Sequence, residues 1–230
     1  MDSLGQIRKK FKKLGNKDKA AKIKKYLKSS YDFYGVSVPD VRSISKELRN
    51  LEFQSALDLS DKLWYSKRHE EMLLALFVLV FHVKQYPSEV WKFMVDRLEK
   101  ANTWGLTDEI SAHILGPILT ENLSLKNEII KLSESKNPWL RRTGIVATIS
   151  LIRSNKIELA LKLAEKLVYD KDIYVQKGAG WMLREAGIRN KPVIKKFILA
   201  HTDMKPAAFS YATEKMLELR KKKKANKIKL

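Results

Sequence analysis

The sequence predicts an all-α protein of the α-solenoid class, built from HEAT-like helical repeats, and three observations carry that expectation. Apolar residues recur at helical spacing with no convincing strand alternation, as in Leu4, Ile7, Phe11 and Leu14, and again in Leu159, Leu163 and Leu167. Only 9 Gly and 6 Pro occur in 230 residues, in a chain rich in Leu, Ile, Ala, Lys and Glu. Breakers punctuate the chain at Gly15–Asn16, Gly35–Pro39, Tyr86–Pro87, Asn102–Gly105, Asn137–Pro138, Asp170–Asp172, Gly187–Pro192 and Lys205–Pro206.

The helix starts define a repeat. Apolar helices open at Lys67–Glu71, Thr103–Asp108, Asn137–Arg142 and Asp172–Lys177, each after a shorter amphipathic helix. Glu71, Asp108, Arg142 and Lys177 align with spacings of 37, 34 and 35 residues, the period of two-helix solenoid units. A fifth unit opens at Lys205–Pro206. In such stacks one helix of each pair lines a concave face, so Asp108, Arg142 and Lys177 are expected along one basic groove. A polar residue at the start of an apolar helix also has a plainer use as a cap, and for any single position capping suffices. Residues 1–219 read as one repeat domain. Residues 220–230 hold seven positive charges and little to bury, and read as a disordered basic tail.

Composition limits the function. Lys and Arg number 46 against 26 Asp and Glu, a net charge of +20 that draws the chain to polyanions, either nucleic acid or an anionic membrane surface. There is no cysteine, which removes disulfides, thiolate zinc sites and cysteine nucleophiles. His69, His82, His113 and His201 lack ligand-like spacing and read as packing or surface residues, so no metal is expected. The longest apolar run, Met72–Phe81, is half the length of a membrane span, and Met1–Lys13 lacks the apolar core of a signal peptide. A soluble, cytoplasmic, monomeric protein is expected. Gly178-Ala179-Gly180 lies inside a predicted helix, where it reads as close packing rather than a phosphate loop.

Three stretches stand out: Trp104-Gly105-Leu106-Thr107-Asp108, Trp139-Leu140-Arg141-Arg142, and Gln176-Lys177 followed by Gly180-Trp181-Met182-Leu183-Arg184-Glu185. With the earlier Phe33-Tyr34-Gly35-Val36, Pro39 and Arg42, they resemble the DNA alkylation repair family, the AlkD-type helical-repeat alkylpurine DNA glycosylases. The resemblance runs from about Tyr26 to about Glu218. It implies that Trp104 and Trp181 flank a damaged nucleotide, that Asp108 is the catalytic carboxylate, and that Arg142 and Arg184 hold the DNA backbone. Lys177 and Arg42 complete the expected DNA contacts. Trp139 reads as a packing residue. Family members commonly carry an acidic residue directly after the first tryptophan, where this chain has Gly105.

The residues support that chemistry. Glycosidic cleavage ordinarily uses one carboxyl group to protonate the leaving group and another to stabilise or attack the sugar. A 3- or 7-alkylpurine is already cationic and leaves without a proton, so one carboxylate suffices. No cofactor is implied. The expected partner is double-stranded DNA carrying alkylated bases. A non-enzymatic binder of branched or unusual DNA on the same scaffold is the alternative, and a repeat scaffold for acidic proteins is a third.

The tail supplies a first test. Removal of Arg220–Leu230 is expected to weaken binding to undamaged duplex and to flatten its salt dependence. About three lost phosphate contacts would change the slope of log K against log salt by roughly 3. A salt titration of both proteins with the same duplex decides it, and an unchanged slope shows the tail idle on DNA.

Overall fold

The computed structural model describes residues 3–224, and every regular element among them is helical. The described chain divides into two compact units, Met1–Arg97 with Ala101–Glu109, and Leu98–Lys100 with Ile110–Leu230. Each unit is a succession of helix pairs in the manner of HEAT-like repeats, which is the α-solenoid class the sequence predicts. The reading of 1–219 as one domain made no division of this kind.

The first unit comprises α1 (Ser3–Leu14), α2 (Lys17–Leu27), α3 (Val38–Glu47), α4 (Phe53–Trp64), α5 (His69–Val80), α6 (Pro87–Val95) and most of α7 (Trp104–Ile110). Helix α1 turns Ile7 and Phe11 inward and leaves its lysines in water. Asn16 stops it and caps α2, its Oδ1 accepting the Lys19 N–H at 2.9 Å. Lys28, in the left-handed region at φ 50°, closes α2. Helices α4 and α5 form the main pair. The amphipathic α4 buries Ala56, Leu59, Leu63 and Trp64, whereas α5 is buried from His69 to Leu79 without interruption. A helix apolar on every side belongs in a core.

The polar start of α5 is therefore buried as well, and neighbouring segments satisfy it. Glu70 accepts the backbone N–H groups of Tyr34, Gly35 and Val36 at 3.1, 2.8 and 3.2 Å. Glu71, whose side chain is wholly buried, takes the Arg8 guanidinium and the Tyr34 hydroxyl. Gly35, at φ 78°, makes the turn that aims these N–H groups at Glu70.

The second unit comprises α8 (Gly116–Glu121), α9 (Lys126–Ser133), α10 (Pro138–Val146), α11 (Ile149–Arg153), α12 (Glu158–Leu167), α13 (Ile173–Arg189), α14 (Lys191–Ala200), α15 (Pro206–Ala212) and α16 (Leu217–Lys224). A π-helical turn, Ser111–Leu115, precedes α8, and the Ser111 hydroxyl donates to the Thr143 carbonyl at 3.2 Å. Asn137 and Asp172 cap α10 and α13 with their side chains. Arg141, buried at the start of α10, forms a bidentate pair with Asp170 at 2.6 and 2.8 Å. It also donates to the carbonyls of Ser135 and Lys136. That guanidinium ties the segment before α10 to the loop before α13.

One sequence expectation is narrowed and another shifts. Within the break expected at Gly187–Pro192, α13 runs through Gly187, 17 residues in all, and stops at Asn190. The basic tail expected from residue 220 begins instead as the end of α16. Arg220 donates to the Thr213 hydroxyl at 3.2 Å and to the Ser210 carbonyl, so it belongs to the folded body. Removing the chain from Lys221 leaves that contact intact. Residues 225–230 of the tail lie outside the described residues.

Helices α13 and α15 approach closely at Gly180. A Cβ there would lie 2.7 Å from the Tyr211 Cβ, which is fixed to its backbone, and closer still to the Ala208 carbonyl oxygen, so neither neighbour can swing away. Gly187 differs, because a Cβ there meets only the flexible end of Met216 at 2.8 Å. Gly180→Ala should therefore cost roughly 1–3 kcal/mol or more. Gly187→Ala, which gains helix propensity of about 1 kcal/mol, should be near neutral. Urea melts of the two variants check the contrast, and equal midpoints would refute it.

Candidate active site

Helix α7 begins at Trp104. The Thr103 side chain accepts the Leu106 N–H at 3.4 Å, and the Thr103 carbonyl accepts the Thr107 N–H at 3.0 Å. Asp108 therefore lies inside the helix rather than at its cap. The capping alternative for Asp108 is removed. Trp104 and Asp108 are four residues apart on one helix, which puts both side chains on one face. Both are half-buried. The exposed Tyr26 of α2 meets the Trp104 ring edge-on at 5.6 Å, which braces the indole and leaves the tyrosine open to solvent.

Gly105 follows Trp104 and faces inward. A Cβ at this position would meet the His69 imidazole at 3.6 Å and Leu27 at 3.8 Å, ordinary contact distances. The space beside Gly105 is thus small and floored by His69. That ring is 95% buried by its 5% exposure, stacks on Phe33 at 4.8 Å, and has no partner for Nδ1. Burial pushes its pKa down to about 4, so the imidazole is neutral at pH 7.

Arg42, expected on DNA, is engaged within the first unit. Its guanidinium donates to both Glu109 oxygens at 2.9 and 3.0 Å and lies over the Phe77 ring at 4.2 Å. The side chain remains 45% exposed, so the pair is open to exchange with another anion.

In the second unit the expected residues occupy α10 and α13. Arg142 is 6% exposed, crosses Gly178, and donates to the Tyr174 carbonyl. Lys177 is half-buried, with its ammonium 5.7 Å from the Tyr174 ring centroid. Trp139 packs on the same ring at 5.2 Å, the structural role expected for it. Trp181 is half-buried and donates its indole N–H to Glu185 at 3.0 Å. Arg184 donates to Glu185 at 3.0 and 3.3 Å and to Glu214. The guanidinium holds the exposed Glu214 carboxyl below its usual range.

The structure thus brings Trp104 and Asp108 together on α7, and Arg142, Lys177, Trp181 and Arg184 onto α10 and α13. Sequence reasoning missed Tyr26, His69, Glu109 and Glu185. Glu185 had a readable signal, since it stands four residues after Trp181 on one helix. Tyr26 and His69 had none, because their neighbours are distant in sequence. Among the described residues, no group of three or more His, Asp and Glu is placed to hold a metal ion. No described helix is long and apolar enough to cross a membrane.

A basic, all-helical repeat protein with a tryptophan and a carboxylate on one helix face is the class these features define. The chain matches the family of DNA alkylation repair enzymes over residues 7–216, and it belongs to that family. A solved structure of a predicted DNA alkylation repair enzyme from Enterococcus faecalis shares the fold with a TM-score of 0.76 at 20% identity. The likeness covers 88% of this chain and 96% of that one. No curated protein sequence matches the chain.

His69 makes stability depend on pH. Its folded pKa, about 4, lies below the unfolded value near 6.5, so between these values the unfolded chain takes up a proton that the folded ring refuses. Stability should fall as pH drops through that window, by up to about 3 kcal/mol. His69→Phe, which keeps the stack on Phe33, should remove this part of the acid sensitivity. Urea melts at pH 7 and pH 4.5 measure it, and identical losses in both proteins would show that His69 does not cause the effect.

Proposed function

We propose that this member of the family is a monofunctional DNA glycosylase that hydrolyses the N-glycosidic bond of cationic 3- and 7-alkylpurines in duplex DNA. The observation that carries the reading is the pairing of Trp104 with Asp108 on one face of α7, with Asp108 inside the helix rather than at its cap. In this mechanism the cationic base is the leaving group and needs no general acid. As it departs, positive charge gathers on the sugar, and the Asp108 carboxylate stabilises that charge and orients the attacking water.

The aromatic faces of Trp104 and Trp181 attract the cationic nucleotide, each by about 0.5–2 kcal/mol. Lys177 supplies positive charge to phosphate oxygens, which sets register without reading sequence, and the buried Arg142 adds its charge from behind the surface. Arg42 and Arg184 join them only by exchanging a carboxylate for a phosphate. The protein acts as a monomer without cofactor or metal, in the compartment that holds the DNA.

Gly105 favours one other reading, a non-enzymatic binder of branched or unusual DNA, because the acid common at that position is missing. Release of 7-methylguanine or 3-methyladenine from methylated duplex by the purified protein separates the two. Asp108→Asn, which removes charge but little shape, should lower single-turnover release at least a hundredfold while duplex affinity and thermal melting stay unchanged. Release within a few-fold of the parent would take Asp108 out of the mechanism.

A further inference from the structure

Helix α13 carries a carboxylate to which the proposed chemistry gives no task. Glu185 follows Arg184 directly and Trp181 by one helical turn. Its Oε1 accepts the Trp181 indole Nε1–H at 3.0 Å together with the Arg184 Nη2–H at 3.0 Å and Nε–H at 3.3 Å. The other arm of Arg184 goes to Glu214, which lies between α15 and α16. The Glu185 and Arg184 side chains are only 26% and 22% exposed, so the network is partly shielded from water.

An indole has one donor. Engaging it with an ionised acceptor fixes the plane of the ring, because a charge-assisted hydrogen bond is about twice as strong as a neutral one. The same carboxylate offsets the charge of Arg184, which otherwise stands beside the indole and repels a cation. Both effects matter for a ring whose use is to present its face to a positively charged base, since that attraction depends on the cation lying within about 6 Å of the ring centroid, over its face. Arg184, with three of its N–H groups on carboxylates, serves in this arrangement as the brace for Glu185.

From this network we infer that Glu185 is a positioning residue: it locks the Trp181 indole through Nε1–H and, braced by Arg184 and Glu214, suits that ring to a cationic purine. The inference rests on the reading of Trp181 as a base-stacking residue. Its first half is tested without any activity.

The indole ¹H–¹⁵N resonance of Trp181, assigned with Trp181→Phe, should exchange slowly with solvent in the parent protein. Slow exchange should persist in Glu185→Gln, whose amide oxygen still accepts the proton, and be lost in Glu185→Ala. In single-turnover release of 7-methylguanine, Glu185→Ala should be slower by about tenfold and Glu185→Gln within about threefold, with thermal melting of Glu185→Gln unchanged. Affinity of Glu185→Ala for undamaged duplex should not fall, since Arg184 is partly released toward phosphate.

Unchanged indole exchange in Glu185→Ala would overturn the inference. So would a Glu185→Gln variant that melts like the parent yet is as slow as Glu185→Ala, because orientation would then not be what Glu185 supplies. Should the parent release no base, the glycosylase reading fails. The indole exchange, with the affinities of parent and variants for duplex containing 7-methylguanine, then decides the role of Glu185. Equal affinities across the three proteins would end it.

Discussion

Helices buried on every side must still begin somewhere, and their first turns carry backbone and side-chain polar groups that need partners away from water. In the first unit the apolar α5 starts with Glu70 and Glu71, both buried, and the chain around residues 34–36 is shaped to meet them. In the second unit Arg141 and Arg142, one turn into α10, are also buried, and the loop before α13 supplies Asp170 while the first turn of α13 supplies the Tyr174 carbonyl. An ionised group left unpaired in such a place would be destabilising by about 3–5 kcal/mol. The loops between helices are therefore held to one conformation by the helices they precede.

That constraint explains what the aligned positions became. Glu71, Asp108, Arg142 and Lys177, aligned by sequence period, all fall within the first two turns of their helices, and the period was legible because helix starts repeat with the fold. Their environments differ. Glu71 is fully buried and structural, Asp108 and Lys177 are half-buried, and Arg142 is buried with one arm on a carbonyl. Period reports where a residue sits along a repeat but not who faces it. Its partner comes from another part of the chain: Arg8 is 63 residues from Glu71, and Asp170 is 29 from Arg141.

Helix boundaries followed the same logic. Asn16, Pro87, Asn137 and Asp172 were legible as starts because caps and prolines act locally. Within the expected break Gly187–Pro192 it is Asn190 that stops α13 and caps α14. The π-helical turn after α7 immediately precedes Gly116-Pro117, and Pro117 has no N–H to donate to the carbonyl four residues back. Within the candidate site, Trp104, Asp108 and Trp181 were readable from their motifs. The carboxylates that occupy Arg42 and Arg184 were not, because an arginine in a sequence looks the same whether it faces solvent or an acid.

Those occupied arginines change how the net charge of +20 should be understood. A count of cations measures attraction at long range, which brings any polyanion near and is screened by salt. It does not measure contacts, because Arg42, Arg141 and Arg184 each spend their donors on internal acids. For Arg141, with its partner only 8% exposed, no phosphate can compete. For Arg42, still open to solvent, exchange costs little. Arg184 lies between, and its carboxylates are the ones that hold the Trp181 indole and offset the charge beside it. A phosphate that captured Arg184 outright would loosen the ring. In the proposed function, backbone binding and a fixed Trp181 ring would thus compete for one guanidinium, which in the structure is held by Glu185 and Glu214.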